Sequence, residues 1–501
     1  MSRLAFGNTS LLFIVSALLC LAVADIAVTA LNPWGEMLRL LHGLVRPDVL
    51  SVEAWSVVWT VAFAVVGVGL GATAGFLLAI VFPRFAAVRA SAMVLRSIHE
   101  LFWALLLIQV FGLGPATGVL AIAIPYAGIF AKVFAEIIEE ADLSAERVLP
   151  AGTSTVSAFA FARLPEVAER FKTYTLYRLE CGLRSTLVLG FIGLPTVGFH
   201  IEGYFKQGQY AQAAALLAVF YVLIGSRRLW ARPATLPLLL VGSLLLLPEG
   251  IGGGSALANL ARFVTHDIVP APLRSGDLTS LATWGTLVAW LQRIVWNMAL
   301  PGAWNTLVLS QIALVGMGLL ALALFPLVSR RFMGRIGQPA GRVLLVVVRS
   351  TPEYMLAYVL LQLLGPSMLP AIIALAVHNG AIVGYLMGRH ADALDYRRDA
   401  PKGLNLYAYD TTPRLYGQFL AYGLYRWEII VRESAIFGIL GVATLGYHVD
   451  AAISELRFDV AVVLILATVG LCALIDALSR WLRKSLRISM LATRLAQAPA
   501  K

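Results

Sequence analysis

The chain has 501 residues, 59% of them apolar and only 13% charged, with a mean hydropathy of +0.81. A soluble chain of this length divides into domains whose surfaces need about 25% charged residues, so the composition excludes a soluble protein and points to one that crosses a membrane many times. The net charge of +11 would suggest nucleic acid only if the basic residues gathered on one polar face.

Apolar runs long enough to cross about 30 Å of hydrocarbon lie near 10–30, 57–82, 97–113, 117–138, 174–194 and 211–226. A second set lies near 231–248, 301–326, 344–364, 367–388, 420–445 and 459–479. The predicted fold is therefore an all-α integral membrane protein of about 12 transmembrane helices. No run alternates with period two, so a β-barrel is not supported. Arg3 followed by an apolar run to Ala30 reads as an uncleaved first span, although Ala22-Val23-Ala24 resembles a signal-peptide cleavage site. Cys20, Cys181 and Cys472 each sit inside an apolar run with no C-x-x-C pair, which argues against a thiolate metal site or a disulfide framework.

The basic residues sort by loop. With a cytoplasmic N-terminus, 27 of the 39 fall in cytoplasmic segments and seven in external ones. This asymmetry predicts N-in, C-in topology and removes any need for nucleic acid. The remaining five, Lys132, Arg178, Arg184, Arg426 and Arg432, lie in or at the edge of spans. Four of them occupy matching positions of an internal repeat. Tyr174–Glu180 aligns with Tyr422–Glu428 at an offset of 248, and the register continues through Arg184/Arg432, Gly190/Gly438, Gly193/Gly441, Gly198/Gly446 and His200/His448. Upstream, Arg96-Ser-Ile-His-Glu100 aligns with Arg349-Ser-Thr-Pro-Glu353 at an offset of 253. A repeat this long implies two related halves, 1–228 and 229–501. Six spans per half is an even number, so the halves enter the membrane with the same polarity, as two parallel six-helix repeats about a pseudo-two-fold axis along the membrane normal. Each half then places one long loop, 139–173 and 389–419, in the cytoplasm.

The first of these loops carries Glu146, Gly152 six residues later, then Leu164-Pro165. That spacing resembles the EAA loop of ATP-binding-cassette importer permeases. The stretches Arg96–Glu100, Tyr177-Arg178-x-Glu180 and Gly190-x-x-Gly193, and their second-half matches through Gly446, are similar to the phosphonate-type permeases of that superfamily. The resemblance implies the type I ABC importer permease fold, a path for phosphonate or a related oxyanion (phosphate, phosphite), and a location in the bacterial inner membrane. It also implies partners: a homodimeric ATP-binding subunit docked on the two loops and an external substrate-binding protein. The chain itself would be no enzyme and bind no cofactor, with ATP and Mg²⁺ held by the ATPase. Two departures stand out. Both halves are fused, and the second, shorter loop has Arg397 where the glutamate belongs, while Gly403 and Thr412-Pro413 remain. In the first half His99 replaces the proline of the second.

Glu180 and Arg184 stand four apart on one helix in the favourable order, and Glu428 and Arg432 repeat this. Intramembrane charges usually pair, so one reading is two braces. The other is that Arg184 and Arg432 offer guanidinium forks to a tetrahedral oxyanion, with Tyr177, Tyr425, Thr186 and Ser434 beside them along the pathway. Such hydroxyls, Ser185 included, more often bond back to their own helix. Arg178 and Arg426, nearer the cytoplasmic ends, read as snorkelling side chains. Gly190, Gly193, Pro195 and Gly198, with Gly438, Gly441 and Gly446, would break the fifth span of each half. The break either lines a cavity whose half-helix N-terminus attracts an anion or allows close helix packing. His200 and His448 lack a third ligand and make a poor metal case. The coupling residues would be Glu146, Gly152, Pro165, Gly403 and Pro413. The segment 249–298, taken as external, carries Trp284, Trp290 and Trp296, which suit an interfacial aromatic belt or a dock for the external subunit. A secondary transporter of two six-helix repeats is the rival function, but apart from Glu180 and Glu428 the spans offer few acidic residues for ion coupling. An intramembrane enzyme lacks any recognisable motif, and no G-x-x-x-x-G-K-[ST] is present for nucleotide.

Overall fold

The computed structural model describes residues 2–486 and 488, apart from 143, 151, 233, 251–254 and 398; side chains are described for all of these except 2–5, 145, 146 and 275. Among the described residues the chain is helical with no strand, as its unbroken apolar runs and want of period-two alternation require. Six helices are long and apolar enough to cross a membrane, or eight if each of two bent pairs is one span, so the protein is a multi-pass membrane protein.

The chain forms two compact units. One comprises residues 40–263. It contains α2 (Pro33–Val45) in its C-terminal part, α3 (Ala54–Val81), the pair α4 (Ala86–Ser97) and α5 (Glu100–Phe111) bent by 95°, and α6 (Pro115–Glu139). It continues with α7 (Leu164–Gly190), α8 (Val197–Lys206), α9 (Tyr210–Gly225) and α10 (Leu236–Leu245). Its core is the α3–α6 packing, where Gly67, Gly71 and Gly75 let α3 lie against Ile122, Tyr126 and Phe130. The other unit joins residues 1–39 to the chain from Val264 on. Besides α1 (Ser2–Val23) it holds α11 (Leu281–Ile294), α12 (Leu300–Val328), the pair α13 (Arg330–Ser350) and α14 (Glu353–Leu364) bent by 86°, and α15 (Met368–Asp392). It ends with α16 (Thr412–Glu433), α17 (Leu445–Ser454) and α18 (Phe458–Ser485). Gly380, Gly384 and Gly388 let α15 approach α12 in the same way.

The repeat is carried element by element. α5 and α6 begin and end 253 residues before α14 and α15, and α8 begins and ends 248 before α17. The bends have matched causes. Pro352 cannot donate an N–H and pushes Thr351 into an extended conformation, so α13 ends there. In the first half His99 stands at that position and caps α5 instead, its Nδ1 accepting from the Leu101 N–H at 3.2 Å. Such a cap is worth about 1 kcal/mol. The histidine that departs from the repeat therefore preserves its geometry.

Three differences from the sequence expectation concern helix length and composition. The run near 231–248 gives only the ten-residue α10, with Pro237 in its first turn and Pro248 just beyond its end, about 15 Å long at 1.5 Å per residue. The fifth segments, α7 and α16, do not count among the apolar spans since each carries several charges. The stretch 281–298 is not a loop: it continues into α12 as one helical run, Leu281–Val328, of 48 residues. Trp284 and Trp296 are exposed on it.

Candidate functional site

The fifth segment of each half, where the sequence concentrates its charges, is also where the backbone departs from a plain helix. α7 is preceded without a gap by a widened π-turn, Phe159–Arg163, and α16 by another, Leu406–Thr411. In both cases a proline, Pro165 or Pro413, follows the turn by two residues. A proline inside an α-helix lacks the N–H for the ladder and its ring crowds the carbonyl four residues back; a π-turn relieves both. A third instance, Val295–Ala299 before Pro301, has the same arrangement. The prolines are thus inside continuous helices rather than at the loop boundaries. Gly152 and Gly403 stand upstream with φ of 92° and 59°, a region natural only for glycine. The side chain of Glu146 lies outside the described residues.

Just before these turns and within them the structure places Val156 and Phe161 in the first half and Leu404 and Tyr409 in the second. All four are 77–81% exposed, and both pairs are related by the repeat offset of 248.

At the other end α7 stops at Gly190 and α16 at Glu433, each followed by tight turns and a reversal into α8 or α17. Gly193 and Gly441 take φ of 92° and 86° in that reversal. Gly190 meets the backbone of Gly198 and Phe199, and Gly438 that of Gly446 and Tyr447, so closely that a Cβ on any of the crossing glycines would overlap main chain. The breaks, with Pro195 in the first, are present, and the glycines also serve close packing. One N–H at each half-helix N-terminus is already held by a threonine hydroxyl. The Val197 N–H donates to Thr60 Oγ1 at 2.9 Å, and the Leu445 N–H to Thr306 Oγ1 at 3.1 Å. Beyond the break, His200 Nε2 lies 2.8 Å from Glu53. His448 is half-buried, which holds its imidazole below the ordinary value.

The predicted pathway residues divide. Thr186 and Ser434 are fully buried and donate to the carbonyls of Leu183 and Val431 at 2.7 Å, so each spends its proton on its own helix. Tyr177 and Tyr425 are exposed. Glu180 lies 3.6 Å from Arg227 Nε, a partner beyond its own helix, and Arg184 Nη2 reaches Cys181 Sγ at 3.3 Å. Arg178 and Arg426 both meet partners within the protein. Arg178 donates from Nε to the Tyr174 hydroxyl at 2.9 Å and lies 5.4–5.9 Å from the rings of Tyr126, Tyr174 and Tyr177, a cation–π cage. Arg426 donates to Asn379 Oδ1 at 3.2 Å.

These two arginines lead to a polar cluster that motif spacing does not assemble. In the first half Ser185 donates to Glu100 at 2.8 Å and contacts the Tyr126 hydroxyl at 3.3 Å, while His99 Nε2 stands 3.9 Å from Glu100. In the second half the matching positions are Glu433 for Ser185, Glu353 for Glu100 and Asn379 for Tyr126. Asn379 Nδ2 donates to Glu433 at 3.0 Å, and His378 Nε2 stands 3.7 Å from Glu353. The available signal was the alignment of Glu100 with Glu353 at the helix bends; what it lacked was the fold that brings the fifth segment against them.

Comparison with known proteins places this architecture. No family model matches the chain, and no solved structure gives a significant match. The chain is 27% identical to the phosphate-import permease protein PhnE of Mycolicibacterium smegmatis over 474 residues, 88% of this chain and 86% of that protein. It is 28% identical to the phosphite transport system permease protein PtxC of Stutzerimonas stutzeri over 230 residues, 84% of that protein but 44% of this chain. The cryptic phosphonate transport system permease protein PhnE2 of Escherichia coli is 26% identical over 106 residues, 87% of its length and 21% of this chain. One relative is therefore matched over most of both chains, while another is nearly spent within less than half of this chain, which is consistent with a fused permease. The chain is a homologue of the permease proteins of phosphate, phosphite and phosphonate transport systems.

Proposed function

We propose that this chain is a transmembrane permease subunit of an ATP-binding-cassette importer, carrying phosphonate or a related oxyanion such as phosphate or phosphite across the bacterial inner membrane. In this reading residues 1–228 and 229–501 are two permease halves of the type I fold, about twelve membrane segments in all, related by a pseudo-two-fold axis along the membrane normal. N- and C-termini face the cytoplasm. A homodimeric ATP-binding subunit, with its own ATP and Mg²⁺, docks on the two cytoplasmic loops, and an external binding protein delivers the anion.

The observation that carries this reading is the exposed apolar pair on each loop, Val156 and Phe161 against Leu404 and Tyr409. Large apolar side chains left in water beside a polar loop mark a protein interface. Their recurrence at a fixed repeat offset suits a partner that is itself two-fold, and a homodimer presents two equal clefts. The homologues' names supply the substrate class. The test is co-purification: Phe161→Asp and Tyr409→Asp should each weaken capture of the ATP-binding subunit by at least about tenfold, the loss expected of an interface anchor, with membrane insertion unchanged. Full capture by the double variant would overturn the assignment of these loops. Loss of capture without any change in oxyanion uptake would overturn the importer.

A further inference from the structure

We propose that α13, in the second half alone, lies along the cytoplasmic leaflet and binds anionic phospholipid headgroups through Arg330 and Arg335. This rests on the proposed cytoplasmic placement of the segment.

Three stripes run along α13. Beyond a kink at Gly334, whose φ is 69°, Gln338, Gly341 and Leu345 recur at helical spacing and are buried. That face is fastened to the protein. Gly341 lies so close to the Leu327 carbonyl that a Cβ would overlap it, and Leu345 clusters with Val328 and Ala381. Gln338 Nε2 donates to the Val328 carbonyl at 3.1 Å and to Asp392 at 2.8 Å. Asp392 also accepts from the Ser329 hydroxyl at 2.7 Å and the Arg330 N–H at 2.8 Å. The opposite face is Ile336, Ala340, Val343 and Val347, spaced four, three and four apart and all exposed; Ile336 is 92% exposed. Beside it run Arg335, Arg342 and Arg349, seven apart.

The helix carries five arginines and no acidic residue in its 21 positions. Its axis turns by 86° into α14, so an α14 that enters the membrane leaves α13 along the membrane plane. An exposed apolar stripe flanked by arginines is what an interfacial helix offers to acyl chains and lipid phosphates, and arginines at the cytoplasmic surface favour anionic over zwitterionic lipid. Three of the five also meet the protein: Arg331 lies 5.2 Å over the Tyr396 ring, Arg349 4.6 Å over Tyr385, and Arg342 3.4 Å from Asp392. Arg330 and Arg335 are exposed at the start of the helix, and the headgroup contact is assigned to them.

The first half serves as an internal control. α4 makes a similar bend, 95°, into α5, but it has 12 residues against 21. At the repeat offset, Pro83, Ala90 and Ser91 stand where the second half has Ile336, Val343 and Leu344, and Phe82 stands for Arg335. Arg89, the match of Arg342, donates to the carbonyls of Phe82 and Pro83 at 3.1 and 2.8 Å. The wide apolar stripe and the arginine at its start therefore belong to the second half.

The experiment titrates the full chain in nonionic detergent with phosphatidylglycerol or phosphatidylcholine and reads bound lipid by native mass spectrometry. Phosphatidylglycerol should bind at least about fivefold more tightly. Replacing Arg330 and Arg335 together by Gln should weaken it at least about tenfold, since each arginine near an anionic surface contributes roughly a factor of five. The same pair replaced by Lys should retain most of the affinity, which a folding defect would not restore, and Arg84→Gln on the first half should change nothing. Excess inorganic phosphate should leave the lipid bound. Equal binding of the two lipids by the wild type, full affinity in the double Gln variant, or displacement by inorganic phosphate would overturn the proposal. The leaflet is read separately: Pro339→Cys should react with a membrane-impermeant thiol reagent from the cytoplasmic side. Reaction from the outside alone would overturn the proposed topology, whatever the lipid titration gives.

Discussion

At the scale of single residues, the arginines in the spans separate by what surrounds them. Arg178 is enclosed by three tyrosine rings and a hydroxyl, so its charge is already committed to the bundle. Arg184 has the soft Cys181 sulfur at 3.3 Å, an acceptor that a tetrahedral anion would readily displace. We therefore expect Arg184→Lys and Arg432→Lys, which keep the charge and lose the planar fork, to cut uptake of radiolabelled phosphate or phosphite at least about tenfold, the cost of a lost bidentate contact of roughly 1.4 kcal/mol or more. Membrane insertion should be unaffected, and unchanged uptake in both variants would make these arginines braces. Sequence patterning found the charges and their repeat, but not their partners. An i,i+4 spacing names a neighbour on the same helix; it does not name Arg227, which Glu180 also meets from another element, or Glu433, which joins the second-half cluster. Thr186 and Ser434 bond back to their own turns, as hydroxyls inside helices more often do.

At the scale of elements, much was legible because it is local. The Gly-x-x-Gly stretches predicted the break of the fifth segment, and the prolines marked the π-turns, since both act through backbone terms that sequence states directly. What could not be read was the partner of each glycine. Gly198 lies against the carbonyl of Leu187 and Gly446 against that of Ala435, whereas Gly203, on the same short helix α8, has nothing near its missing Cβ. A methyl at either crossing must push main chain aside, and such overpacking costs about 1–3 kcal/mol or more. Gly198→Ala and Gly446→Ala should each lower the thermal midpoint and the yield of monodisperse protein, while Gly203→Ala should stabilise α8 slightly through its helix propensity. Equal behaviour of all three in a thermal-shift measurement would mean that the crossings relax without cost. The close-packing reading and the broken-helix reading are thus both served by one set of glycines, and Thr60 and Thr306 each hold one N–H of the half-helix that follows.

At the scale of the whole molecule, the repeat offsets name the equivalent helices in advance. The compact units nevertheless divide the chain differently from the repeat. Helix α1 belongs with the second-half helices: Phe13 packs edge-on to Trp427 at 5.2 Å, Tyr416 donates to Ser10 at 2.7 Å, and Gln311 donates to Ser16 at 2.7 Å. Residues following it continue the attachment, with the Thr29 N–H on the Leu364 carbonyl and the Met368 N–H on that of Asp25, both at 2.8 Å. Conversely, Leu240 of α10 lies against α3 at Gly69, and Asn259 donates to the Val110 carbonyl at 3.2 Å. Each half of the sequence thus lends a segment to the unit built from the other, an exchange that hydropathy cannot reveal because α1 and α10 read as ordinary apolar runs wherever they dock. If the exchanged segments contribute to stability, residues 1–228 and 229–501 produced as two polypeptides should fold only together. Co-expressed, they should co-purify in equal amounts on a tag carried by either; expressed singly, each should be degraded or aggregate, since a buried helix-packing face left open in lipid loses its packing and hydrogen bonds. Stable, monodisperse 229–501 purified without the first half would mean that α1 adds little to the unit it joins, and that the fused chain gains from its linkage only the guarantee that two unlike halves meet.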